Sequence, residues 1–373
     1  MSAAAMRSWA WALAALIVAA SIGNVHAQSA SGLFPITVDD KHGMIDRAGT
    51  VVIPPEYAEP LSLRDGLVRV ARGSKVAYLD AAGRFVIGPQ DMAREPFAEG
   101  VTPARGRDAA GKPAWGYIDR TGVFVITPRF ADARPFSEGL AEVGVADQWG
   151  EVKYGYADKT GRLVVPARYA KTSPFSAGLA RVEVDQRPRV IDRAGTDVTP
   201  PGIDFIGVAA EGLYRVWNGR KQGFMDGTGR VVVEPRFDLA REFSDGLAVV
   251  WLGGKIGYVD RHGTMVIPPR WEVADDFVDG RAAVKVDDKY GFIDKTGNLV
   301  IPAILDRAMK FSEGLAAAKL GNYYGYLDRA GTWVISPRYV WVRPFHQGLA
   351  FVGERGSRGA YIDATGRTVW TSP

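Results

Sequence analysis

The phrase Asp-x-x-Gly returns ten times along this chain, and its spacing leaves little freedom to the fold. The aspartates are Asp46, Asp80, Asp119, Asp158, Asp192, Asp226, Asp260, Asp294, Asp328 and Asp363. From Asp158 to Asp328 the step is a constant 34 residues; the steps into Asp119 and Asp158 are 39, and the last is 35. A second phrase of the type acidic-Gly-Leu keeps the same rhythm, with glycines at 66, 100, 139, 178, 212, 246, 280, 314 and 348. One period further back, Ser31-Gly32-Leu33 fits the same frame. Length alone would suggest two or three domains. A self-similar period of this size instead means an array in which one small unit is copied.

The unit reads as β structure. In the copy FSDGLAVVWLGGKIGYVDRHGTMVIPPRW, residues 243–271, Leu247–Val250 is a short apolar run and Gly253-Gly254 a turn. Ile256–Val259 is a second run, Asp260–Gly263 a turn and Met265–Ile267 a third run. Pro268-Pro269 is expected to end it, because proline cannot donate to a strand ladder. No segment holds a 3.6-residue apolar period with helix caps. The sequence therefore predicts an all-β array of about ten three-stranded meanders. It is expected to be elongated or superhelical, with a closed propeller-like ring as the alternative.

The recurring phrase is itself a turn. Its third position varies freely, as Ala48, Thr121, Thr160 and His262 show, whereas a ligand loop would need that position fixed in kind. Asp first and Gly last persist: Asp46 with Gly49, Asp119 with Gly122, Asp158 with Gly161, Asp226 with Gly229, Asp260 with Gly263, Asp294 with Gly297 and Asp328 with Gly331. Aspartate accepts hydrogen bonds from backbone N–H groups two residues on, and glycine tolerates positive φ.

One meander cannot bury enough surface to stand alone, but stacked copies cover each other. The covering residues recur in register. A Phe lies three residues before the next repeat glycine at Phe97, Phe136, Phe175, Phe243, Phe277, Phe311 and Phe345, with Leu63 in the same slot. A connector aromatic falls 11 residues after the turn aspartate at Tyr57, Phe130, Tyr169, Phe237, Trp271 and Tyr339. These are read as core rather than as a ligand cage.

The pattern Gly-aromatic-Ile/Val-Asp-x-x-Gly, then Val-Ile-Pro, then Phe-x-Glu-Gly-Leu-Ala resembles the bacterial WG-containing (KWG) repeat over residues 28–373. The resemblance implies an all-β repeat protein, often exported, and implies no reaction. The Trp of the WG pair stands in register only at Trp115-Gly116. Elsewhere the slot holds His42, Tyr154, Gln222, Ile256, Tyr290 or Tyr324, and Trp149-Gly150 is out of register.

Residues 1–27 read as a secretory signal peptide. Arg7 precedes an apolar run from Trp9 to Ile22, and Val25-His26-Ala27 is a cleavage-type end. The chain is thus expected in the periplasm or secreted, without a membrane span after cleavage. It has no cysteine, so disulfides and thiolate metal sites are excluded. The charge is nearly balanced, 46 Lys+Arg against 42 Asp+Glu, with no basic block of the kind nucleic acid requires.

No catalytic set stands out and no cofactor is implied. His42, His262 and His346 occupy three different slots of the repeat, and no metalloprotease, nucleophile-elbow or phosphate-loop motif occurs. Glu99, Glu138, Glu211, Glu313, Asp65, Asp245 and Asp279 precede the repeat glycine. Arg129, Arg168, Arg236, Arg270 and Arg338, beside the connector aromatic, are their expected partners. Copies that depart from the common pattern are more informative. Two adjacent copies carry five extra residues between the first and second strands, 16 residues separating glycines that are usually 11 apart. These loops offer Arg105, Arg107, Lys112 and Trp115, then Trp149 and Lys153; Trp217 and Trp251 lie on the same edge of later copies. Donors beside Trp suit a glycan or peptide surface. The expected role is a non-catalytic binding or scaffold module of the cell envelope, with an envelope protein, peptide or glycan as partner. A glycan-directed carboxylate enzyme and a ligand-free spacer are the rivals.

Overall fold

The computed structural model describes residues 32–373 apart from 74, 91–94, 355, 357 and 358. The signal-peptide reading lies outside the described residues. Among those described there is no helix, and so none long and apolar enough to cross a membrane. Ten antiparallel sheets follow one another along the chain, numbered first to tenth below, and each is built from consecutive strands.

The expected three-stranded unit is corrected to four strands in six of the sheets. In the seventh sheet the strands are Leu239–Ser244, Leu247–Leu252, Lys255–Val259 and Met265–Trp271. The connector thus supplies an outer strand, pairing Ala240 with Val250 and Phe243 with Ala248 across a bulge. The third strand also runs past Ile267, through both prolines, to Trp271. Proline is tolerated there because the strand lies at the sheet edge and bulges. The bulge sits between the pairs Tyr258↔Ile267 and Ile256↔Trp271. It brings third-strand backbone directly over Gly257, where an added Cβ would lie 2.6 Å from the Ile267 carbonyl oxygen.

Sheets are joined by a repeated aromatic pair. Tyr78 meets Phe97, Tyr117 meets Phe136, Tyr156 meets Phe175 and Phe224 meets Phe243; Tyr258–Phe277, Phe292–Phe311 and Tyr326–Phe345 continue the series. All are edge-to-face at 4.7–5.0 Å between centroids. Such geometry adds about 0.5–1.5 kcal/mol to the burial of the rings. The Phe and connector-aromatic slots are buried as the sequence predicts, with Trp271 only partly covered. Where the first member is Tyr, its hydroxyl donates to a backbone carbonyl of the following connector, as Tyr117 does to Arg134 at 2.7 Å and Tyr258 to Asp275 at 2.7 Å.

The turn edge is saturated. Asp119 Oδ1 accepts from the N–H groups of Thr121 at 2.8 Å and Val123 at 3.2 Å, and Gly122 has φ 84°. The Thr121 hydroxyl also donates to it and holds the Asp119 carboxyl below its ordinary pKa. The acids before the repeat glycines take left-handed φ, 48° at Asp65 and 54° at Asp245. Their carboxylates accept from the N–H of the next repeat glycine, Gly100 to Asp65 at 2.8 Å and Gly280 to Asp245 at 2.6 Å. Their cation is the residue after the turn aspartate, Arg120 on Asp65 at 2.8 Å and Lys295 on Asp245 at 2.7 Å.

The expected partnership with the connector arginines is therefore corrected. Arg129, Arg168, Arg236, Arg270 and Arg338 donate to the carbonyls of Gly161, Gly195, Gly263, Gly297 and Gly366, latching each third strand to the next turn. Each also stacks on its own connector aromatic, Arg236 lying 5.0 Å from the Phe237 ring.

The ten sheets do not merge into a hydrogen-bonded barrel. The ends of the array nevertheless touch. Tyr361, in the slot of Tyr117 and Tyr258, donates to the Pro35 carbonyl at 2.8 Å. Its ring lies 5.6 Å from that of Phe34, in one cluster with Ile36, Ile45 and Leu349. Gly49 abuts the Val369 carbonyl, as Gly83 abuts that of Val52 and Gly229 that of Val198. The contacts that join neighbours thus also join the tenth sheet to the first.

Candidate functional site

The two inserts are ladder extensions, not slack loops. In the third sheet Val101–Arg107 pairs with Pro113–Asp119 residue for residue, from Val101↔Asp119 to Arg107↔Pro113. In the fourth sheet Leu140–Ala146 pairs with Val152–Ala157, out to Ala146↔Val152. Each tip repeats the turn of the other edge. Asp108 Oδ1 accepts from Ala110 N–H and Lys112 N–H at 2.9 Å; Asp147 Oδ1 accepts from Trp149 N–H and Glu151 N–H at 2.9 Å. The phrases Asp108-Ala-Ala-Gly111 and Asp147-Gln-Trp-Gly150 were legible in the sequence, hidden only because they fall outside the period. They also explain why Trp149-Gly150 is out of register: Gly150, at φ 86°, is a turn glycine.

Tip placement decides exposure. Trp149 is 82% exposed. Trp115 lies lower, half-buried and opposite Arg105, whose guanidinium carbon is 5.8 Å from the ring. Arg107 donates to the Gly111 carbonyl at 2.6 Å, and Lys112 is exposed. Lys153 pairs with Glu151 at 2.5 Å. The two hairpins rise from neighbouring sheets whose strands are in contact. Trp217 and Trp251 stand in the sixth and seventh sheets, each under an arginine: Arg215 is 4.6 Å from the Trp217 ring and Arg241 5.2 Å from that of Trp251. The predicted residues therefore form two groups, the hairpin set and these two stacked tryptophans.

Charge separates the groups further. In the sixth to eighth sheets the hairpin edge is closed by ion pairs, Lys221–Asp238 at 2.7 Å, Lys255–Glu272 at 2.8 Å and Lys289–Asp306 at 2.6 Å. The hydrogen bond from the lysine holds each of these carboxyls below its ordinary pKa. The long copies lack the acid, its slot being Ala131 and Ala170. Among the described residues Arg105, Arg107 and Lys112 have no carboxylate partner.

The signature described as "WG containing repeat" matches residues 43–75, 115–149, 154–187, 223–255, 256–290, 290–324 and 324–356. The chain belongs to the WG-containing repeat family. No curated protein matches it significantly. Among solved structures it is similar to a "eukaryotic initiation factor", at 12% identity over 90% of this chain and 94% of that one, with a TM-score of 0.45. It is also similar to the "dihydro-heme d1 dehydrogenase NirN in complex with DHE", at 12% identity over 95% of this chain and 76% of that one, with a TM-score of 0.37.

Proposed function

We propose that this repeat protein is a non-catalytic binding or scaffold module of the bacterial cell envelope, which captures an acidic protein, peptide or glycan on its two long hairpins. The observation that carries this reading is the coincidence of Arg105, Arg107 and Lys112, without carboxylate partners among the described residues, with Trp149, 82% exposed at the tip of the neighbouring sheet's hairpin. An indole left in water on a well-formed turn stands to gain roughly 1.5–3 kcal/mol on being covered. Cations lacking an internal acid add attraction for an anionic partner without breaking an existing pair. The envelope setting rests on the signal-peptide reading of residues 1–27.

The test replaces both inserts by the short turn of the other copies and compares capture from envelope extracts and on glycan surfaces. The parent chain is expected to retain an acidic partner and the shortened chain to lose it, with unchanged thermal stability. Equal capture by both would overturn the proposal.

A further inference from the structure

The fifth sheet lacks a third strand; only Ala180–Val184 and Arg187–Ile191 are paired in it. The slot of the WG-pair glycine, three residues before the turn aspartate, holds Arg189 here, and Ala77 and Ala360 in the second and tenth sheets. In the seven copies with glycine there, an added Cβ would come within 2.2–2.6 Å of a third-strand carbonyl oxygen, 2.3 Å at Gly116 and 2.2 Å at Gly223 among them. Alanine in this slot still admits a third strand, in a changed register, as Val76↔Gln90 and Ala360↔Thr371 show, whereas the far larger arginine side chain stands where the strand would cross. The third strand here begins normally, Val198 N–H donating to the Val190 carbonyl at 3.0 Å. The chain then leaves the sheet at Pro200-Pro201, although the prolines in the same slots of the seventh sheet, Pro268-Pro269, stay within its third strand. Arg189 and the departing chain fall between the family matches at 154–187 and 223–255.

The displaced strand leaves a cleft of about 310 Å³ between the fifth and sixth sheets. Val182, Pro188, Ile203, Phe205 and Ile206 give it a mostly apolar lining. Tyr214 refills the core behind, in a slot that is Ala, Val or Thr in the other copies except the first, where it is Phe34. Lys171, Arg181 and Arg189 bring three cations to the rim, against Glu183 and Asp204. Glu183 is engaged by Lys171 at 2.9 Å, and Asp204 accepts from the Gly219 N–H at 2.6 Å. Arg189 reaches Asp197 only at 3.8 Å. Arg181 donates to the Ile206 carbonyl at 3.3 Å and has no carboxylate partner among the described residues. Arginines in its slot elsewhere do: Arg69 has Glu59 at 3.1 Å and Arg215 has Glu242 at 2.8 Å. One period before Glu242 stands Val208, so the acid that would neutralise Arg181 is missing from this copy.

We infer that this cleft binds a small carboxylate with an aromatic or branched aliphatic body. The Arg181 guanidinium takes the carboxylate through charge-assisted N–H···O bonds, and the Ile203, Phe205 and Ile206 wall covers the body. The volume is at the low end for a ligand pocket and suits a molecule the size of one capped amino acid. This site is independent of the hairpins.

Calorimetric titration with N-acetyl-L-phenylalanine and with its uncharged amide tests it. The acid is expected to bind at least about tenfold more tightly than the amide, the value of one charge-assisted hydrogen bond. Arg181→Gln should bring the acid down to the level of the amide, and Arg181→Lys should keep part of the difference. Ile203→Trp, which fills the cleft and leaves Arg181 in place, should abolish binding of both probes. Shortening the hairpins should change none of this. Equal affinity for acid and amide in the parent chain, or no binding of either up to about 10 mM, would overturn the inference. So would unchanged binding in a folded Ile203→Trp chain.

Discussion

The glycine of the WG pair lets the third-strand bulge pass close over it; where the slot holds Ala77 or Ala360 the third strand takes a different register. At Gly257 the nearest atoms to an added Cβ are the Ile267 carbonyl oxygen at 2.6 Å and Pro269 N at 2.8 Å, all backbone and unable to swing aside. Gly88 is a useful contrast, with nothing within 4 Å and no positive φ. Gly257→Ala is expected to cost about 1–3 kcal/mol through displacement of the third-strand bulge. Gly88→Ala should be neutral or stabilise by about 0.4–1 kcal/mol, because it restricts only the unfolded chain. Urea unfolding of both variants checks the pair; equal effects would refute the steric account. At this scale much was legible in the sequence. The Asp turns and the buried Phe slots were read correctly from recurrence alone. Arg189 was equally visible in the glycine slot, but its meaning depends on the third strand running overhead, which no local pattern announces.

At the scale of the element, the outer strand was the part hidden from sequence. Leu239–Ser244 carries only two well-buried side chains, Ala240 and Phe243, on either side of a bulge. It therefore shows no alternation to read. Its β character comes from pairing with the next first strand, a tertiary effect on a weak local preference. The prolines misled for a related reason, since they are excluded from central strands and tolerated at edges. The outer strand is also held at the far end, because the aromatic of one sheet donates into the connector that feeds the next. Tyr258→Phe removes the hydroxyl that reaches the Asp275 carbonyl and keeps the ring against Phe277. It should cost about 0.5–1.5 kcal/mol, seen as a lower unfolding midpoint with an unchanged urea slope. Phe224 and Phe292, which lack the hydroxyl naturally, show that the ring pair alone suffices for the fold. A loss above about 3 kcal/mol would mean that the ring position, rather than the hydrogen bond, had been disturbed.

At the scale of the whole array, stability depends on whether any sheet lacks a neighbour. In an array with free ends the terminal units carry one interface instead of two and open first. Here Phe34, Ile36 and Ile45 of the first sheet are covered by Leu349 and Tyr361 of the tenth, and the Tyr361 hydroxyl bonds to Pro35 just as internal tyrosines bond to their following connectors. The two ends should therefore be protected like the middle. Hydrogen exchange under native conditions is expected to give the strands Lys41–Ile45 and Leu349–Gly353 protection comparable to Lys255–Val259 in the seventh sheet. Tyr361→Phe should lower protection in both terminal sheets together, although they lie at opposite ends of the chain, and by about as much as Tyr258→Phe lowers it locally. Fast exchange confined to the terminal sheets of the parent chain would contradict this. So would a Tyr361→Phe effect limited to the tenth sheet, because a contact that closes the array must be felt on both of its sides.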